Sequence, residues 1–185
     1  MIRMAVVAKP AFEARSELLV IPLCEDARPV KGFVGQLDWW LNGRISRLYK
    51  CRKFVGSAGQ RALTPCVHWL PFIKLMLLGM GRGDELSSSK ITEVYRAAVF
   101  ALRDLRLASV TVMGSCPDVR KYDEVLYVFA LVEGLLQGIA ECEDGVTLSD
   151  ITIPVSEPRK GEIADAVAPL PGRYKLEGRL RLKVS

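Results

Sequence analysis

The chain has a single histidine, His68, and a search for chemistry starts there because imidazole is the side chain that most readily moves protons or binds metal near neutral pH. It stands between Val67 and Trp69, with no cysteine or carboxylate at the spacing of a metal ligand set or of a nucleophile and its base. Neither a zinc site nor a catalytic dyad is expected on it. H-E-x-x-H, G-x-S-x-G, a Walker loop and an EF-hand loop, the patterns that bring reacting groups together, are all absent. Five cysteines, Cys24, Cys51, Cys66, Cys116 and Cys142, are widely spread with no C-x-x-C pair. They suggest no disulfide framework and no zinc knuckle, and most are expected to act as small buried hydrophobes. No metal and no cofactor is implied, and no catalytic residue is assigned.

Binding chemistry is better represented. The loop Gly79-Met80-Gly81-Arg82-Gly83 follows an apolar run and precedes a helix start, where backbone N–H groups and the helix dipole can hold a phosphate. Gly79, Gly81, Arg82 and Gly83 are therefore a candidate phosphate-binding loop for a nucleotide or ADP-ribose-type ligand. Its spacing is not G-x-G-x-x-G, no Lys-Ser/Thr follows Gly83, and glycines serve a tight strand-to-helix turn equally well. A second candidate is the stretch from Asn42 to Arg61, which holds Arg44, Arg47, Lys50, Arg52, Lys53 and Arg61 with no acid. It is either a surface for an anionic partner, nucleic acid included, or a solvated face that keeps the chain soluble. Asp38 beside Trp39 and Trp40 could stack a base or sugar, although one tryptophan in the core and one at an interface is the more ordinary arrangement.

These candidates need a scaffold. Ile2 to Val7 and Leu18 to Leu23 read as strands, and Phe33, Leu37, Trp40 and Leu41 recur at helical spacing up to Asn42-Gly43. A second short helix follows through Ile45, Leu48 and Tyr49. Arg61 to Val67 and Phe72 to Leu78 are strands, the latter apolar enough to be covered on both faces. Ser87-Ser88-Ser89 caps a long amphipathic helix, Ser109 to Met113 is a strand closed by Gly114 and Pro117, and Asp123 opens a second long helix to about Glu141. Ile151 to Val155 is a further strand. The order argues for a mixed α/β sheet between helices.

From Ser156 the composition turns to proline, glycine and charge, so 157–172 reads as a connector that ends the compact body. Tyr174, Leu176, Gly178, Leu180, Leu182 and Val184 then alternate with Lys175, Glu177, Arg179, Arg181 and Lys183, as in a strand with one apolar and one mainly basic face. Leu180, Leu182 and Val184 form a candidate assembly strand, pairing within the chain or with another. Half of the residues are apolar, enough for one real core. No apolar run reaches the roughly 20 residues of a membrane span, and the first residues lack a signal-peptide pattern, so a cytoplasmic location without membrane contact is expected.

Four segments in order carry a family resemblance: Leu18-Leu19-Val20-Ile21-Pro22; Gln36-Leu37-Asp38 with Asn42-Gly43 and Ile45; Phe54-Val55-Gly56 with Gly59-Gln60; and Leu77-Leu78-Gly79-Met80-Gly81. Together they resemble the N-terminal domain of the leucyl (cytosol) aminopeptidase family, over about residues 1–155. The resemblance implies a three-layer α/β/α, macro-domain-like fold for 1–155, with 156–185 as connector and basic C-terminal strand. In the family a separate domain holds two divalent metals through motifs of the "GKG.TFD.GG" and "NTDAEGR" kind. Neither occurs here, so no catalytic or metal-binding residue carries over. The resemblance also implies oligomers, with DNA contact in some members. The function expected is a non-catalytic binding, assembly or regulatory module, with a protein partner or self-association. The alternatives are nucleic-acid binding through 44–61 or ligand binding at 79–83.

Overall fold

Seven strands form one sheet in a computed structural model that describes residues 1–26, 28–116, 122–142, 146–176 and 178–185. In chain order the elements are β1 (Ile2–Val7), β2 (Ser16–Leu23), α1 (Gly32–Trp40), α2 (Arg44–Lys50), β3 (Arg61–Pro65), β4 (Phe72–Gly79), α3 (Ser88–Asp104), β5 (Ser109–Val112), α4 (Glu124–Glu141), β6 (Asp150–Pro154), α5 (Lys160–Val167), α6 (Leu170–Arg173) and β7 (Leu180–Val184). The strands lie in the order β3-β4-β2-β5-β6-β1-β7, with β3 alone antiparallel to its neighbour. Pro117, expected to close β5, and Glu177 lie outside the described residues.

The unbroken apolar runs of β2 and β4 have a direct cause. Leu18, Val20, Met76 and Leu78 face the core under α3 to α6, whereas Leu19, Ile21, Leu23, Leu75 and Leu77 face a second core under α1 and α2. Each strand is covered on both faces, as parallel strands in such sheets usually are. α3 begins where Ser87 Oγ accepts from the Lys90 N–H at 3.3 Å, and α4 where Asp123 Oδ1 accepts from the N–H groups of Val125 and Leu126 at 2.9 and 3.1 Å. The two helices approach closely because α4 presents glycine to α3. A Cβ at Gly134 would stand 2.3 Å from the Thr92 carbonyl oxygen, and one at Gly138 2.7 Å from that of Arg96. The polar stripe of α4 is also engaged: Gln137 donates to the Tyr174 hydroxyl, that hydroxyl donates to Glu133, and Glu141 pairs with Arg96.

The expected connector at 157–172 is corrected by the structure. Ile163, Val167 and Leu170 recur at helical spacing, are fully buried, and pack α5 and α6 on α4. Pro158 and Pro171 occupy first-turn positions of a 3-10 turn and of α6, where the missing N–H costs nothing. Proline there starts a helix rather than breaking one. The alternating tail is a strand only from Leu180, since Lys175 (φ 53°) and Gly178 (φ 88°) turn the chain before it. β7 pairs in parallel with β1, Ile2 facing Leu180 and Val6 facing Val184, so its apolar face is covered within the chain.

Candidate functional site

The strands β2, β4, β5, β6 and β1 all point the same way, and their carboxyl ends are where an open α/β sheet forms its crevice. The glycine loop after β4 lies there, and its geometry accounts for its glycines. A Cβ on Gly79 would sit 2.0 Å from the Ser57 carbonyl oxygen, and Gly81 holds φ +79°. The loop is tied to its surroundings through its donors: Gly79 N–H to Gln60 O (2.7 Å), Met80 N–H to Leu23 O (3.0 Å), Gly81 N–H to Gly56 O (2.8 Å), and Gly83 N–H to Asp26 Oδ1 (3.0 Å). Gln60 completes the clamp, its Oε1 accepting from the Val55 and Gly56 N–H groups. Arg82 makes a two-pronged pair with Asp84, at 3.1 and 2.9 Å, and lies 3.7 Å from Glu85. The hydrogen bond from Arg82 pulls the Asp84 carboxyl below its usual range.

The basic stretch divides in two. Arg47, Lys50, Arg52 and Lys53, on α2 and the turn after it, are exposed. Arg44, half-buried, and Arg61, itself exposed, also brace the fold, the first donating to Pro65 O at 2.8 Å and Thr64 Oγ1 at 3.3 Å, the second to Ala97 O at 3.2 Å. Among the described residues none of the six forms an ion pair. The structure adds Arg28, whose guanidinium lies 4.5 Å from the Tyr49 ring centroid and donates to Val55 O. It lines a pocket of about 230 Å³ with Pro29, Val30, Ser46, Tyr49 and Lys50. A single-window reading of charge missed it because α1 separates it from Arg44. The signal was available over a longer span: residues 27–83 hold ten lysines and arginines against one acid, Asp38, while the remainder has twenty acids to sixteen bases.

That one acid is not at the surface. Asp38 is buried, and its Oδ1 accepts from Ile45 N–H (2.7 Å) and Ser46 N–H (3.1 Å) while Oδ2 accepts from Ser46 Oγ. It caps the first turn of α2 across the left-handed Asn42-Gly43 turn. Trp40 meets Trp69 edge to face at 5.5 Å, and Trp39 is exposed. His68 is exposed beside Trp69 in an open pocket that also includes Phe12, Arg15 and Ile73, at the amino ends of the strands. Of the cysteines, Cys24, Cys116 and Cys142 are buried and Cys51 is exposed, while Cys66 is half-buried with its thiol pushed up to about 11 by burial, partly offset by Arg44. Among the described residues no three metal-ligating side chains cluster, and no helix is long and apolar enough to cross a membrane.

The model of the cytosol aminopeptidase family, N-terminal domain, matches residues 20–144, from β2 through α4. This chain belongs to that family. Similar curated proteins include the probable cytosol aminopeptidases of Rippkaea orientalis, 28% identical over 127 residues, and Sulfurihydrogenibium sp., 22% identical over 130 residues. Each alignment takes in about 70% of this chain and 25% of the relative, so the chain spans about a quarter of their length and matches only the N-terminal domain. A solved tomato leucine aminopeptidase mutant superposes with a TM-score of 0.75 at 18% identity, covering 95% of this chain and 36% of that one. A Trypanosoma brucei macrodomain in complex with ADP-ribose superposes with a TM-score of 0.68 at 16% identity, covering 89% of this chain and 68% of that one. The cytosol aminopeptidase N-terminal domain thus has a macro-domain-like α/β fold here. Its family motifs coincide with structural devices: Asp38 as the cap of α2, Gln60 as the clamp, and Gly79 at a close backbone approach.

Proposed function

We propose that this cytosol aminopeptidase N-terminal domain is a non-catalytic binding module whose working surface is the basic half built from α1, α2, β3 and β4, and that its partner is a nucleic acid. One observation carries the reading. Ten cationic side chains against a single acid lie between residues 27 and 83, and that acid is buried inside a helix cap. The exposed heads of Arg47, Lys50, Arg52 and Lys53 have no carboxylate partner to release before meeting phosphate. Affinity should then fall steeply with salt as condensed counterions are displaced. Fluorescence anisotropy with a labelled duplex tests this: binding at low salt that weakens linearly in log Kd against log salt is expected, and no binding at low salt overturns it.

Two further readings have observations behind them. A ligand of the ADP-ribose type at the carboxyl end of the sheet is supported by the likeness to the Trypanosoma brucei macrodomain in complex with ADP-ribose. Because the Gly79, Met80, Gly81 and Gly83 N–H groups already have acceptors, such a ligand would have to displace them or use other donors. Calorimetry with ADP-ribose giving no heat at millimolar ligand would remove this reading. Self-association is supported by β7, an edge strand with Arg181 and Lys183 exposed and Leu180, Leu182 and Val184 turned to the core. Light scattering that gives a monomer mass at high concentration would end it.

A further inference from the structure

Neighbouring strands β2 and β5 run in parallel with Leu18 facing Val110, Leu19 facing Thr111 and Val20 facing Val112, an offset of 92 residues. The same offset continues past the strand ends and sets Cys24 against Cys116, whose sulfurs are 3.5 Å apart. Cys24 follows directly on β2 and Cys116 lies in the turn beyond β5. Backbone contacts hold both turns: Glu25 N–H donates to Gly81 O, Met113 N–H to Val20 O, and Gly114 N–H to Pro154 O. The Cys116 thiol also reaches the Pro22 carbonyl at 3.7 Å, and the Tyr49 hydroxyl donates to the Cys24 carbonyl at 3.3 Å. Nearby in the same core, the Tyr95 and Tyr127 hydroxyls pair at 2.9 Å, and burial holds both phenols protonated well above their ordinary range. The chain leaves β2 to form α1 and α2 over one face of the sheet and leaves β5 to form α4 over the other. The two thiols therefore sit at the switch point of the sheet.

We propose that Cys24 and Cys116 are a redox pair that closes to a reversible disulfide under peroxide, fastening the turn after β2 to the turn after β5. An S–S bond is about 2.05 Å long, so the sulfurs must approach by roughly 1.5 Å, within the reach of side-chain rotation and a small shift of either turn. Cys116, 6% exposed against 1% for Cys24, is the sulfur that an oxidant meets first. Its thiol gives up a proton, the thiolate attacks one oxygen of hydrogen peroxide, the O–O bond breaks, and the departing hydroxide takes up that proton and leaves as water, giving a sulfenic acid. The Cys24 sulfur then attacks the sulfenic sulfur, the S–O bond breaks, and a second water leaves. Two thiols have given two electrons and two protons to one peroxide, and a dithiol reductant returns them.

The test uses the full chain. After treatment with a small excess of hydrogen peroxide, the protein is denatured, labelled with a maleimide and weighed intact. Three adducts in place of five are expected, with a peptide map joining the Cys24 and Cys116 peptides and with five adducts restored by dithiothreitol. Cys116→Ser should abolish the joined peptide, and the variant with Cys51→Ser and Cys66→Ser should keep it. Five adducts after peroxide would overturn the proposal. So would a bridge through Cys51, Cys66 or Cys142, or loss of label to higher oxides with no bridged peptide. The wild-type peptide map decides the question even where a buried serine prevents folding.

Discussion

The two halves of this molecule share a sheet but are built from different kinds of sequence. On the side of α3 to α6, acids and bases are interspersed, Arg96 meets Glu141, Arg159 meets Asp123, and Gly134 and Gly138 let α3 and α4 approach closely. On the side of α1 and α2 the core is smaller, and residues 27–83, which build that side, carry ten bases against one acid. Electrostatic self-repulsion in the second half is a cost that ordinary packing would avoid. The interleaved ion pairs and the larger core thus lie on one side of the sheet and the excess of bases on the other, where the single acid of residues 27–83 is buried as the cap of α2.

The largest effect is expected on the packed side. Leu170→Ala removes a fully buried side chain from the core shared by α4 and α6, and urea unfolding should show a loss of about 2–5 kcal/mol. A loss near zero would mean that α6 does not belong to that core. Asp38→Ala comes next. It strips two N–H groups and a hydroxyl of their acceptor, and should cost about 1–3 kcal/mol while leaving duplex affinity at low salt unchanged. An affinity that rises severalfold would show that this carboxylate does act on the surface field.

The reverse pattern is expected for Arg47→Glu with Lys50→Glu. Both side chains are exposed, so stability should change by less than about 0.5 kcal/mol, whereas the salt slope of duplex binding should fall by about two. An unchanged slope would detach binding from α2. The smallest effect concerns acid. The hydrogen bond from Arg3 chiefly lowers the Asp150 carboxyl below its usual range, and the backbone N–H of Leu126 and the Arg159 guanidinium do the same for Asp123. A carboxylate whose folded pKa is depressed adds stability above its unfolded pKa and loses it as pH falls through the folded value. A slight decline below the ordinary carboxylate range is therefore expected, small because the pairs are solvent-exposed. An NMR titration of Arg3→Ala should return the Asp150 midpoint upward; an unmoved midpoint would assign the shift to Ser149 instead.

How much of this could be read in advance depended on how local the cause was. α3 and α4 announced themselves because each has its cap adjacent in sequence and its apolar stripe in one run. β2 and β4 did so because covering on both faces leaves no polar positions to confuse the pattern. α5 and α6 were hidden by Pro158, Gly161, Pro169, Pro171 and Gly172, which mark loops in most contexts but here stand at helix starts or on exposed turns. The apolar face of the last strand was visible, yet its partner was not, since pairing with β1 joins the two ends of the chain and leaves no trace in either strand's own pattern. For the same reason the surroundings of the candidate basic residues were legible only in part. Exposure of Arg47, Lys50, Arg52 and Lys53 follows from α2 being short and single-sided, while the bracing roles of Arg44 and Arg61 require Pro65 and Ala97 to be brought alongside. Asp38 caps a helix that starts six residues later, beyond the range of any local capping rule. The meeting of Cys24 and Cys116 needs the β2–β5 register.

Whether nucleic acid binds the basic half is decided by titrating the isotope-labelled chain with a short DNA duplex and following every backbone amide. Shifts concentrated at Arg28 and across 44–53, diminishing as salt is raised, are the predicted result. Shifts centred on 79–83 or on β7, or none at low salt, would contradict it.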